Sequence, residues 1–205
     1  HPHRGFETVT VVRRGFVDHS DSMGAAGRYG AGDVQWMTAA GGILHEEYHS
    51  DAFARSGGMF NMVQLWVNLP AADKMKPPCY QAITKENIPV ANLSNSAGTV
   101  RVIAGAYESL QGPAHTFSPM QVWDVNVQAG AVVTILDGAD DLDEQVLVGA
   151  ELVRGADLGG LAGPQREGAG ARDDLLGPEL ELLLLVAAGH VAAVGAAVDR
   201  LDLDR

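Results

Sequence analysis

The sequence predicts an all-β protein, an antiparallel barrel or sandwich. Three observations predict it: short runs rich in β-branched and aromatic residues recur every 8–15 residues or so, glycine-rich turns separate them, and no long amphipathic helical pattern interrupts them.

Residues 6–12 read Phe-Glu-Thr-Val-Thr-Val-Val. Stiff β-branched side chains fit a pleated surface, so a strand is expected there. An Arg13-Arg14-Gly15 turn leads into Phe16-Val17-Asp18-His19, and the two runs read as a hairpin. Glycines between positions 24 and 32 precede a strand over 33–38, a Gly41-Gly42 break and another strand over 43–49. Residues 59–69 continue the pattern with Val63-Gln64-Leu65-Trp66-Val67. Pro70, Pro77 and Pro78 then end any regular element, and 80–88 is expected as a helical turn or loop. Later strands are expected over 100–103 and 120–127. The apolar run 180–188 suits a buried strand or a helix equally, because periodicity does not separate the two.

Composition divides the chain. Residues 1–136 carry 9 Lys and Arg against 11 Asp and Glu, whereas 137–205 carry 5 against 15. All twelve aromatic residues lie at or before Trp123, so the tail does not read as an ordinary β half-domain. The net charge of −12 repels a phosphate backbone, which argues against direct nucleic-acid binding. No apolar run is long enough to span a membrane and the opening residues show no leader pattern, so no membrane partner is expected. The single cysteine, Cys79, excludes an internal disulfide and fits a reducing, cytoplasmic setting.

Seven histidines to one cysteine bias the chemistry toward imidazole. On a strand, residues two apart share a face, so His1 pairs with His3 and His45 with Glu47. If the two strands meet inside a barrel, three imidazoles and one carboxylate converge, a donor set for a divalent transition metal that leaves positions open for substrate and oxygen. A single His-x-His pair is commonly no more than a hydrogen-bonded surface pair; two spaced pairs about forty residues apart raise the case for metal. Glu7, four residues beyond His3, competes with Glu47 as the carboxylate, and spacing does not separate them. Trp36, Trp66, Phe6 and Met37 are expected in the core or lining the barrel, with the shaping of an aromatic substrate pocket as the lesser alternative. His49 shares the face of Glu47 if that strand continues. His19, His115 and His190 carry no functional signal.

Several long blocks go further. His1-Pro2-His3-Arg4-Gly5-Phe6-Glu7-Thr8-Val9-Thr10, Gly32-Asp33-Val34-Gln35-Trp36-Met37-Thr38-Ala39, Gly42-Ile43-Leu44-His45-Glu46-Glu47 and Gln64-Leu65-Trp66-Val67-Asn68-Leu69-Pro70 resemble the pirin family of the cupin superfamily, a likeness that covers roughly residues 1–136. The resemblance implies a bicupin: a metal-binding unit over 1–110, lacking its usual first strands, and a second cupin-like unit over 111–205 that diverges beyond about 137. It implies one metal, most often Fe(II), held by His1, His3, His45 and Glu47, with Glu47 also the catalytic base. Glu7 and His49 are then expected behind the ligands. The implied activity resembles quercetin 2,3-dioxygenase, acting on a flavonol and dioxygen. Two alternatives stand beside it: a non-catalytic metal-binding regulator of a transcription factor or enzyme, and a degenerate fragment, since the chain starts at a ligand and lacks the family's closing segment. A ligand on the first residue is expected to be poorly anchored.

Overall fold

The computed structural model describes residues 1–129, 131–136, 145–149, 179–187 and 190–195. The rest of the acidic tail, including the stretch 150–178, lies outside the described residues. The chain runs through β1 (Pro2–His3), β2 (Phe6–Arg14), β3 (Val17–Asp21), β4 (Ala26–Tyr29), β5 (Val34–Thr38) and β6 (Ile43–Tyr48). A short helix α1 (Asp51–Ser56) follows, then β7 (Asn61–Asn68) and β8 (Cys79–Ile83). These eight strands form two antiparallel four-stranded sheets, ordered β7-β2-β5-β8 and β1-β6-β3-β4.

The sheets face each other, and polar side chains bridge the gap: Thr10 of β2 reaches Glu47 of β6, and Gln35 of β5 reaches His19 of β3. The fold is therefore all-β and antiparallel, as expected. The expected hairpin is not: β2 pairs with β5 and β7, while β3 pairs with β4 and β6. Gly15 sits at φ +83°, a left-handed conformation that costs glycine little, and it carries the chain from one sheet to the other instead of folding it back.

The second part adds β9 (Val90–Asn92), β10 (Gly98–Ala104), the short pair β11 (Ala106–Tyr107) and β12 (Leu110–Gln111), and β13 (Met120–Gln128). β14 (Val132–Leu136) pairs with β15 (Gln145–Gly149). β16 (Glu179–Ala187) and β17 (His190–Gly195) complete a five-stranded sheet ordered β17-β16-β13-β10-β9. Of the run at 180–188, residues 180–187 are strand and 188 lies outside the described residues; the tail does contribute β structure, since β16 pairs along the whole of β13, from Met120↔Ala187 to Gln128↔Glu179. The aromatic-poor composition misled because leucine and valine suffice for a strand with a long partner to pair against.

β2 and β5 are covered on both faces, and this decides where the site lies. On one face Val9, Val11 and Trp36 pack with Ile103, Met120 and Val122 of the second sheet. On the other, Thr8, Thr10 and Gln35, all fully buried, turn toward the histidines. Residues 80–88 correct the expectation of a loop: β8 extends to Ile83 and only Lys85–Asn87 forms a 3-10 turn. Pairing with β5, from Val34↔Ile83 to Thr38↔Cys79, holds this segment extended.

Candidate metal centre

β1 and β6 pair through Pro2↔Leu44 and His3↔Ile43, and the His45 amide donates to the His1 carbonyl at 3.0 Å. This ladder ties down the first residue, which the sequence reading expected to fray, and sets three rings together. His1 and His3 Nε2 lie 2.8 Å apart, and His1 and His45 Nε2 lie 3.0 Å apart. The His3 and His45 ring centroids are 4.6 Å apart.

Two imidazoles can share one N–H, but three ring nitrogens pointed at one another cannot all be satisfied by hydrogen bonds among themselves. Protonation is no remedy: burial, reinforced by neighbouring His3 and His19, lowers His45 to about 4, and burial lowers His3 as well. Unprotonated imidazole nitrogens turned toward one point are a donor type that divalent transition metals take. The donor set therefore fits a divalent ion.

Glu47 lies beside this cluster. The four expected ligands do not form one group; instead His45 belongs to two, His1–His3–His45 and His19–His45–Glu47, with potential donor atoms within 4.8 Å in each. Gln64 Nε2 donates to Glu47 Oε2 at 2.8 Å, and Thr10 Oγ1 donates to Oε1 at 3.3 Å. Gln64 also donates to Thr10 at 3.0 Å and accepts from Trp66 Nε1 at 3.1 Å.

His19, without signal in the sequence, is 1% exposed and stands against this carboxylate. Gln35 Nε2 donates to its Nδ1 at 2.8 Å, which leaves the ring proton on Nε2, 3.1 Å from Asp21 Oδ2. Burial pushes Asp21 up, but His19 and the amides of Met23 and Ala25 outweigh it and hold the carboxylate low. Tyr80 stacks on the His19 ring at 4.9 Å, and its hydroxyl bonds that of Tyr29. The missed signal was alternation: Val17, His19 and Asp21 share the inward face of β3, and Val17 is buried.

Three expectations change. Glu7 is buried but does not stand behind the ligands; Gly5, at φ +80°, separates β1 from β2, and Glu7 faces the second sheet with Val9, accepting from Trp36 Nε1 at 3.0 Å and Thr38 Oγ1 at 2.7 Å. Burial raises its pKa against those two bonds. His49 lies beyond the end of β6, its ring 4.7 Å from Phe60 and 5.4 Å from Phe53, and belongs to neither histidine group. Trp66 is not core: it is 66% exposed.

The sequence model of the pirin family matches residues 1–67, the stretch that contributes all three clustered imidazoles. Over these residues the chain carries the pirin-family sequence pattern. Relatives extend the match further along the chain. A Pseudomonas aeruginosa protein provisionally named a quercetin 2,3-dioxygenase is 63% identical over 130 residues, covering 63% of this chain and 46% of its own length. Human pirin is 39% identical over 132 residues, 64% of this chain and 43% of its own. The crystal structure of quercetin 2,3-dioxygenase from Acinetobacter baumannii superposes with a TM-score of 0.63 at 54% identity, covering 66% of this chain and 47% of that one. The chain thus spans less than half the length of these relatives. No helix among the described residues is long and apolar enough to cross a membrane.

A pH dependence follows from His45. Between its ordinary value of 6.5 and about 4, the unfolded chain binds a proton that the folded imidazole refuses. Stability of the metal-free protein therefore rises with pH across that window and falls on acidification. Thermal melts at pH 4.5, 5.5 and 6.5 are expected to show an increasing Tm; a flat or inverted series contradicts the assignment.

Proposed function

We propose that His1, His3 and His45 hold one divalent transition metal, Fe(II), with Glu47 as the fourth ligand or base, and that this chain is the metal-binding part of a quercetin 2,3-dioxygenase. The observation that carries it is the convergence of three imidazole nitrogens at 2.8 and 3.0 Å. The names of the Pseudomonas and Acinetobacter relatives support the substrates, a flavonol and dioxygen.

A bound divalent ion would supply positive charge that acidifies a flavonol hydroxyl and open positions for oxygen ligands. The chain's own residues do the rest. Gln64 and Thr10 hold Glu47 as an acceptor, and each oxygen keeps lone pairs to take the substrate hydroxyl proton. Met37, Ala39 and Ile43 form a buried apolar cluster with Tyr80 packed against it; Ile43 lies opposite His3 in the ladder and Tyr80 stacks on His19.

In the test, iron-loaded protein is incubated with quercetin and its visible absorption band followed. The band is expected to disappear, and Glu47→Gln to slow the loss by about 10²–10⁴-fold with metal content retained. An unchanged band with metal bound overturns the dioxygenase reading and favours a metal-dependent regulator; absence of metal overturns both. The single cysteine, exposed Cys79, supports a cytoplasmic setting. The division into units 1–110 and 111–205 belongs to the same proposal. β9 and β10 lie before that boundary yet pair within the sheet of β13, so it divides the chain but not the sheet.

A further inference from the structure

β7 alternates strictly. Asn61, Val63, Leu65 and Val67 are buried, with the three apolar side chains packed toward the second sheet, while Gln64 and Trp66 share the face turned to the histidines. Trp66 is exposed there, at 66%, although Trp36 and Trp123 are fully buried. Its ring is nonetheless set in a fixed frame. Phe6 stacks on it at 4.9 Å and 27°, and His3 meets it edge-on at 5.6 Å. An indole N–H only donates, so the 3.1 Å bond to Gln64 Oε1 fixes which end of that amide faces Trp66. The other end, Nε2, is thereby aimed at Glu47 Oε2 and Thr10.

We propose that Trp66, backed by Phe6, is the stacking surface for a planar aromatic ring of the substrate, and that Gln64 is the positioning residue linking that surface to Glu47. A flat ring laid on the indole adjoins His3 and so comes within reach of the imidazole cluster. Offset stacking holds such a ring without dictating its substituents, which suits a flavonol or another planar aryl compound. Occupancy restrains the indole, the indole restrains Gln64, and Gln64 holds the carboxylate that is to accept the proton. The inference rests on the dioxygenase reading for its substrate, but its central measurement does not require turnover.

Iodide reaches only an exposed indole, so time-resolved iodide quenching of the full chain reports Trp66. Quercetin added to iron-loaded protein without oxygen is expected to protect that fluorescence. By calorimetry under the same conditions, Trp66→Leu is expected to weaken quercetin binding about tenfold, whereas Trp66→Phe, which keeps a flat ring, stays within about twofold of wild type. Gln64→Leu is expected to bind quercetin normally yet lower kcat with KM and metal content unchanged, and Trp66→Phe to share that fall in kcat because it lacks the N–H.

An indole that iodide does not quench, quenching that quercetin leaves unaltered, or normal affinity in Trp66→Leu overturns the stacking surface. Normal kcat in Gln64→Leu overturns the positioning role. Protein that protects Trp66 with quercetin but never consumes it in air retains the surface and loses the dioxygenase reading, so the two failures are distinguishable.

Discussion

His45→Gln is expected to abolish metal binding. His45 is 4% exposed and is the one residue common to both groups of potential ligands, so no alternative triad among the described residues survives its loss. Glutamine is close in length but offers a weaker amide oxygen in place of an imidazole nitrogen. Metal stoichiometry after loading and desalting is expected to fall from one per chain to near zero, with affinity reduced by at least 10²-fold. Glu47→Gln serves as the milder contrast, because it leaves all three clustered imidazoles in place. Equal metal content in His45→Gln and wild type would remove the centre from these residues. The substitution also erases the His45 contribution to the acid sensitivity described above, which thermal melts of metal-free protein read independently.

Asp124→Asn is expected to be the most destabilising single change outside the site. Asp124 Oδ1 accepts from Arg13 Nε at 3.0 Å and Nη2 at 2.6 Å, and Oδ2 accepts from Arg101 Nη1 at 2.9 Å. Arg101 also donates to the Gly32 carbonyl. The carboxylate thus joins β2 to β13 and β10 in the seam between the barrel and the second sheet. The Arg13 and Asp124 side chains are only 4% and 10% exposed, so neutralising the acid removes the anionic end of a buried, doubly hydrogen-bonded ion pair. Breaking such a pair costs about 3–5 kcal/mol. For a chain of this size the Tm is expected to drop by roughly 6–20 °C. Asp18→Ala provides the comparison: its partner Arg28 is 55% exposed, and the loss there is expected to be about 0–1 kcal/mol. Similar Tm values for the two variants would mean that the seam does not depend on this cluster.

Much of the barrel was legible because alternation is local. Runs such as 33–38 and 43–49 became β5 and β6 nearly as read, and Gly41-Gly42 falls between them. Partner choice was not legible. The runs flanking Gly15 look like a hairpin, yet each strand finds both neighbours elsewhere, through pairings such as Val9↔Leu65 and His19↔Glu47 that join residues far apart in sequence. Two-sided burial hid side-chain direction as well. In Glu7-Thr8-Val9-Thr10 every residue is buried, so nothing in the run says which face meets the histidines; the tertiary packing sends the threonines there and Glu7 to the other side. His19 escaped notice for a related reason: its partners Gln35 and Asp21 come from an opposing strand and from its own strand's next inward position.

The sequence by itself determined the donor inventory and its spacing, since His1 with His3 and His45 with Glu47 each lie two residues apart and a strand's pleat makes such neighbours share a face. Only the tertiary structure decided that β1 lies against β6, which brings three imidazole nitrogens together, that Gln64 and Thr10 hold Glu47 beside them, and that Trp66 is left open at their edge. The reason is physical: a strand's periodicity follows from its own backbone, whereas its neighbours and its buried face are settled by which distant segments exclude water against it.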